Sequence, residues 1–380
     1  MRSILVLGIF LYVAAGFGML WADGGELSGY DKATLNWVEE MVIDMNNVPE
    51  PHLLVNPFAV TEDADGNIYI TDAGAHNVKK FKPNGSFLSV FGRQGAGPGD
   101  LNYPGAIAFV DGKLVISDIM NRRFSIFSTD GKFVDSVRIE FSNEMCKTLR
   151  SAANGLLAVE FLKMNRKPKE PQQITIRANQ GAKLSDKSNV ILKQNVHLRS
   201  FITKPMPTNI IAPFPATVCW DTLPNGKIVA GFSKTYEIGV FDPPKGKIAT
   251  LTHKHKQIPI EAPDKKTFFK TLRFFENGKV TNNVPDHVRE NTTFPKSKPA
   301  FETVLADSQG YILVFPFQKA TDKKDRRQVD VFRSDGTFVR AITLVGKVNI
   351  YALSRGNGDY FWGRKTNEDE EGSIIKYRLK

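Results

Sequence analysis

The segment Phe58-Ala-Val-Thr-Glu-Asp-Ala-Asp-Gly-Asn-Ile-Tyr-Ile-Thr-Asp72 decides the fold. Apolar and polar residues alternate, the pattern breaks at Gly66, and alternation resumes up to Asp72, as in a β-hairpin. A second hairpin follows, from Val78 to Phe81, through Pro83-Asn84-Gly85, and back from Phe87 to Phe91. The same order returns at once: Ala106 to Val110, Asp111-Gly112, Lys113 to Ser117, Phe124 to Phe127, Asp130-Gly131 and Phe133 to Ile139. Gly66 and Gly112 are 46 residues apart, and within each unit the two turn glycines are 19 apart. A four-stranded repeat of this length is a propeller blade.

Looser copies carry the glycine pairs Gly155 and Gly181, Gly226 and Gly246, and Gly310 and Gly336. A final copy begins at Val348 and turns at Gly356-Asn357-Gly358. It has room for three strands only, Ile350 to Leu353, Asp359 to Gly363 and Ser373 to Leu379. The strand-like stretch Val38 to Met45 would supply the missing outer strand and cover an exposed sheet edge. The expectation is an all-β protein over residues 23–380: a six-bladed β-propeller of four-stranded antiparallel blades, its ring closed by an N-terminal strand.

The repeat Asp118-Ile-Met-Asn121-Arg-Arg123-Phe124-Ser-Ile-Phe127-Ser-Thr-Asp-Gly131 resembles the NHL repeat. So does the connector Phe91-Gly92-Arg-Gln-Gly95-Ala-Gly97-Pro-Gly99-Asp-Leu-Asn-Tyr-Pro104. The match is specific over residues 55–140 and fades afterwards, since Phe332 and Gly336 keep the spacing but no strand-end Asp precedes them. The whole chain is similar to exported bacterial six-bladed propellers of NHL type. That family includes binding modules and a few enzymes, so the resemblance implies a fold and not an activity. Asp72 and Asp118 end second strands, where a carboxylate can bond turn amides or a third-strand Arg such as Arg123. Phe81, Phe127, Phe241 and Phe332 recur before the second turn, as packing between neighbouring blades requires.

Of 380 residues, 41% are apolar and 24% charged, which excludes a disordered chain. The net charge of +11 favours anionic partners. Two cysteines exclude a disulfide scaffold and a four-thiolate zinc site; Cys146 and Cys219 either pair or stand as two buried thiols. Arg2 precedes a charge-free run of 20 residues, Ser3 to Ala22, which reads as a signal peptide or an uncleaved N-terminal anchor over residues 1–22. The remainder is then a periplasmic or extracellular body, membrane-associated if the anchor stays, and a monomer. Export argues against nucleic acid as partner.

Charge sorts by face. First-hairpin turns carry Glu62, Asp63, Asp65, Asp111, Asp221, Asp307 and Asp359. The loops between second and third strands, on the opposite face, carry the candidate ligand-binding cations Arg122, Arg123, Lys167, Lys169, Lys234, Lys323, Lys324, Arg326, Arg327 and Arg364. Asp72, His76 and Asn77 form a candidate polar cluster there. An insertion over residues 252–299, between the fourth and fifth repeats, lies on that side too. In it Asp264 is expected to cap a helix from Lys265 to Glu276 whose apolar side, Phe268, Phe269, Leu272 and Phe275, packs on the rim or lids the channel mouth. The connector Asn195 to Pro215, with four prolines, should be extended and stiff.

No catalytic residue is assigned. Gly95-Ala-Gly97-Pro-Gly99 lacks the following helix that a phosphate cradle needs, and His253 and His255 lack a third zinc ligand. No cofactor is expected beyond a weak case for Ca²⁺ near Asp63, Asp111, Asp221 and Asp307, which read better as turn residues. The functional expectation is an exported binding or scaffold propeller whose basic loop face takes an acidic protein surface, an anionic glycan or an anionic lipid headgroup. The alternative is a channel-mouth hydrolase or lyase, possibly metal-dependent, capped by the insertion.

Overall fold

The computed structural model describes residues 30–380 except 45, 47, 140–142, 153–154, 166–169, 183–187, 203–207, 277–278 and 367–371. The signal or anchor expected over residues 1–22 lies outside the described residues. After β1 (Thr34–Ile43), the first sheet is β2 (Pro57–Glu62), β3 (Ile68–Asp72), β4 (Asn77–Phe81) and β5 (Phe87–Phe91), antiparallel and in that order. The second is β6 (Pro104–Val110), β7 (Lys113–Asp118), β8 (Arg123–Ser128) and β9 (Phe133–Arg138). The third is β10 (Glu144–Ala152), β11 (Leu156–Lys163), β12 (Gln172–Gln180) and β13 (Asn189–Val196). A hairpin, β14 (Arg199–Ile202) and β15 (Thr208–Ile211), leads to the fourth: β16 (Val218–Thr222), β17 (Ile228–Phe232), β18 (Glu237–Asp242) and β19 (Gly246–Thr252). Next come α1 (Ala262–Thr271), the hairpin β20 (Phe274–Glu276) and β21 (Lys279–Thr281), and α2 (Asp286–Asn291). The fifth sheet is β22 (Phe301–Ala306), β23 (Ile312–Pro316), β24 (Arg326–Phe332) and β25 (Phe338–Val345). The last strands are β26 (Ser354–Arg355), β27 (Tyr360–Thr366) and β28 (Gly372–Leu379).

β1 runs antiparallel along β28, and its first residues, Thr34 to Asn36, pair in parallel with Thr343 to Val345 of β25. It therefore gives β26–β28 a fourth strand and also joins them to the fifth sheet.

Second strands such as β3, buried at all five positions, read as nearly continuous apolar runs because both faces of each sheet are covered. The covering is by the neighbouring sheets. Tyr69 and Val78 meet Leu114 and Phe127; Val115 and Phe124 meet Leu157 and Val159; Ala158 and Ile176 meet Trp220 and Ala230. Val229 and Val240 then meet Val304 and Phe332, and Leu313 and Val331 meet Phe361 and Tyr377. Finally Trp362 and Ile374 pack on Ile70 and Phe81 of the first sheet.

All ten repeat glycines lie at positive φ. The requirement is plainest at Asp111-Gly112, where φ is 47° and 71° and Val110 pairs directly with Lys113, a two-residue turn that needs left-handed backbone twice. Phe81, Phe127 and Phe332 each meet a second phenylalanine across the hairpin, Phe87, Phe133 and Phe338, edge to face at 5.8, 5.8 and 5.4 Å.

Four local expectations are corrected. The N-terminal strand is Thr34–Ile43 and not Val38 to Met45. The last repeat opens on a 3₁₀ turn, Ile350–Ala352, because Ile350 and Leu353, three residues apart, bury on one side of it. The connector over 195–215 is not a stiff extended link, since Arg199 pairs with Ile211 and Ile202 with Thr208, satisfying their backbone groups in a hairpin. The helix begins earlier and ends sooner than expected: Glu261 is its N-cap, Pro263 sits in its first turn, and Asp264 closes a capping box. Glu276 pairs with Lys279, so this stretch turns as a hairpin and does not stop a helix. Cys146 and Cys219 are free, buried thiols, and burial pushes Cys219 up to about 12.

Asp72 pins the first sheet. Its carboxylate accepts hydrogen bonds from the backbone N–H groups of Val55, Asn56 and Ala75, and from the Lys79 ammonium at 2.8 Å. Both side chains of that ion pair are fully buried. Burial acts to raise the Asp72 pKa, but Lys79 and the amides outweigh it and hold the carboxyl below the usual range. The pair's stabilisation is therefore complete above the ordinary Asp pKa of about 3.9 and is lost as pH falls through the depressed native value. Asp72→Ala should cost about 3–5 kcal/mol in urea denaturation at neutral pH, because it strands a buried ammonium. Asp72→Asn with Lys79→Met should recover part of that loss, and the deficit of Asp72→Ala should shrink in acid.

Candidate functional site

The turns between first and second strands form one side of the molecule, and Glu62, Asp221, Asp307 and Asp359 are used there in joining sheets, whereas Asp63 is bonded within its own turn by Asn67 and Tyr69. Glu62 accepts from the Tyr360 hydroxyl and from the Asn357 N–H, both at 2.6 Å. Asp221 accepts from Ala306 N–H at 2.9 Å and faces Arg150 at 3.5 Å. Asp307 accepts from the Tyr30 hydroxyl at 2.9 Å, and Asp359 from Ser308. Among the described residues no three His, Cys, Asp or Glu side chains gather as a metal site.

The opposite side carries the loops between second and third strands and the links between sheets. The structure divides its expected cations into two groups. Arg123 is absorbed by the fold: Nε donates to Asp118 at 2.9 Å, Nη1 to Ala96 O, and Nη2 to Gly97 O and Asp100 O. Arg327 pairs with Glu302 at 2.6 Å, and Arg364 donates to Asn56 Oδ1 at 3.2 Å. The polar cluster is likewise internal: Asp72 and Asn77 both hold Lys79, and His76, at φ 54°, accepts the Tyr103 N–H through Nδ1 at 3.0 Å. Arg122, Lys234, Lys323, Lys324 and Arg326 are exposed. Lys234, Lys323 and Lys324 make no ion pair among the described residues. Lys167 and Lys169 lie outside the described residues.

A cleft of about 600 Å³ opens on this side between the fourth and fifth sheets. That volume is within the range of small-molecule sites. Lys234 and Tyr236 enter it from the loop before β18, His253 and His255 from the chain leaving β19, and Lys296 and Lys298 from the link into β22. At its base the Tyr236 hydroxyl donates to Asp330 of β24 at 2.5 Å. Burial raises the Asp330 pKa, against the pull of Tyr236 and the two histidines. His253 stacks on Phe338 at 4.1 Å, and His255 tilts over Tyr236 at 5.5 Å. The His255 Nε2 atom is buried without a hydrogen-bond partner among the described residues. Burial lowers the His255 pKa, His253 lowers it further, and Asp330 opposes both. His253 and His255 drew notice in the sequence only as metal ligands. Tyr236 and Asp330, 94 residues apart, left no local signal there.

Residues of the insertion, from His253 to Gln257 and from Pro295 to Pro299, line the cleft, and its helix packs on the preceding hairpin. Phe268 and Leu272 of α1 pack with Val284, Val288 and Ile210, which lies on the preceding hairpin. Lys298 Nζ bonds Asp264 at 2.8 Å, both side chains nearly inaccessible, and donates to Gln318 O at 2.6 Å. A separate cavity of about 310 Å³ is lined by β2, β6, β10 and the last sheet, with no residue of the insertion.

No family model matches the sequence, and no curated protein does. Solved structures do resemble it. A member of the DUF4221 family from Bacteroides vulgatus matches with a TM-score of 0.52 at 11% identity, over 92% of this chain and 99% of its own. The calcium-binding protein regucalcin from Agrobacterium tumefaciens has a TM-score of 0.42 at 12% identity, over 91% and 97%. Virginiamycin B lyase from Staphylococcus aureus has 0.45 at 10%, over 90% and 100%. The first likeness shows the fold, an all-β architecture of propeller type, and no activity.

Lys298→Met leaves Asp264 buried and unpaired, so it should detach α1 at a cost of about 3 kcal/mol. Limited proteolysis under native conditions should then cut within residues 262–291, at protease levels that leave the unaltered chain whole, while the sheets unfold as before.

Proposed function

We propose that the chain is an exported NHL-type propeller of six blades, closed by β1, that acts as a non-catalytic binding module for an anionic ligand. Export is inferred from the apolar run Ser3 to Ala22. Closure is supported by the pairing of β1 with β28 and by the packing of Trp362 and Ile374 on the first sheet. One observation carries the ligand assignment: charge is spent on the two sides in different ways. On the turn side, Glu62, Asp221 and Asp307 are consumed in bonds between sheets. On the loop side, Lys234, Lys296, Lys323 and Lys324 stand exposed and make no ion pair among the described residues. Exposed cations of one sign on one side concentrate positive potential, steer anions and lose effect as salt rises. An acidic protein surface, an anionic glycan and an anionic lipid headgroup share that chemistry.

The test is capture by the immobilised chain, begun at about residue 30, against a polyuronate, anionic vesicles and an extract of its own compartment, at about 50 and 500 mM salt. Its partner arm carries Lys323→Glu, Lys324→Glu and Arg326→Glu, leaving the structural Arg123 and Arg327 alone. A ligand held at low salt, released at high salt and missed by the altered chain is the expected result. Equal capture by both chains, or capture by neither, would remove the loop side from the function.

A further inference from the structure

We infer that the cleft between the fourth and fifth sheets is a site for the carboxylate or phosphate group of a small ligand, and that His255 takes up a proton as that group enters. The inference rests on the loop side being the ligand-binding side, and it places a defined pocket there.

Three observations converge. First, the space is concave, about 600 Å³, and has apolar walls in Phe214, Tyr236 and the His253 ring stacked on Phe338. Such walls suit the apolar part of a small ligand. Second, Lys234 and Lys296 line it, exposed and with no ion pair among the described residues, whereas the buried Lys298 is already spent on Asp264. Two open ammonium groups lining one pocket suit one anionic group. Third, His255 Nε2 is buried with no hydrogen-bond partner among the described residues, although a buried polar atom ordinarily has one. A turn of the ring toward an entering anionic oxygen would supply the missing partner once the imidazole is protonated.

The groups that face His255 set the sign of the pH dependence. His253, on the same segment, disfavours its charge. Asp330 of β24 favours it, but is turned into a hydrogen bond with Tyr236 of β18. Lys234, from the loop before β18, and Lys296, from the link into β22, add positive charge around the cleft. The free imidazole is therefore mostly neutral near pH 7, and an entering anion raises its pKa. Affinity then increases as pH falls from above the bound-state pKa to below the free-state one, by up to about tenfold per pH unit.

The experiment follows the His255 ring by nitrogen–proton NMR in the chain from about residue 30, with two probes added separately. Glucuronate stays singly ionised throughout the window and isolates the histidine; inorganic phosphate tests the second source of the same chemistry. Either probe should raise the His255 pKa, and its affinity should be about tenfold higher near pH 5.5 than near pH 7.5. His255→Gln should flatten that slope. Lys296→Met should weaken binding at every pH and leave the slope, a split that a purely structural histidine would not give. If neither probe moves the His255 resonance, or if His255→Gln keeps the slope, the inference is overturned. Loss of the cleft with salt-sensitive capture intact would sink this site alone, whereas loss of both would sink the binding-module reading with it.

Discussion

A four-stranded sheet with two apolar faces cannot stand in water, and this constraint organises the molecule. β3, β11 and β16 are buried along nearly their whole length, and the side chains that bury them come from the sheets on either side. Each sheet is thus both a core and a cover. The last three strands face the same demand with one strand too few. β1 answers it by lying along β28, and its paired edge also ties those strands to the fifth sheet. Tyr30, just before it, continues the tie by donating to Asp307.

Polar groups follow the same logic. Burying a carboxylate is costly unless it is paired or hydrogen-bonded. Asp72 and Asp118 meet that condition in the same way, each holding link amides and a third-strand cation, Lys79 in one sheet and Arg123 in the next. Asp72, which groups with His76 and Asn77 as a candidate polar cluster along the chain, has its hydrogen-bonding capacity filled. What remains open for a ligand is what the described residues do not use: the exposed lysines of the loops and the His255 Nε2 atom, which has no hydrogen-bond partner among them.

The insertion illustrates how a long connector packs on another link. Its apolar residues find Ile210 on the other long link, and Lys298 clamps its helix through Asp264. The result is a wall raised beside one junction between sheets. The link into β22 that follows it lines the fourth-to-fifth cleft with Lys296 and Lys298.

The sequence alone determined the repeat, its turn glycines and its strand alternation, because these depend on neighbours within a hairpin. Asp111-Gly112 needs only its own backbone twist to be read. The direction of Asp72 toward a cation was legible for the same reason, since its partners lie within about one hairpin of it. Boundaries governed by distant partners were not legible: where β1 begins is set by β25 and β28, more than 300 residues away. The cleft belongs to this second kind. Tyr236, His255, Lys296 and Asp330 come from four separate segments, and only the packing of two sheets and the docking of the insertion bring them together. The tertiary structure alone decided which lysines and arginines were free, because each counter-charge that consumes one, such as Glu302 for Arg327, arrives from another strand.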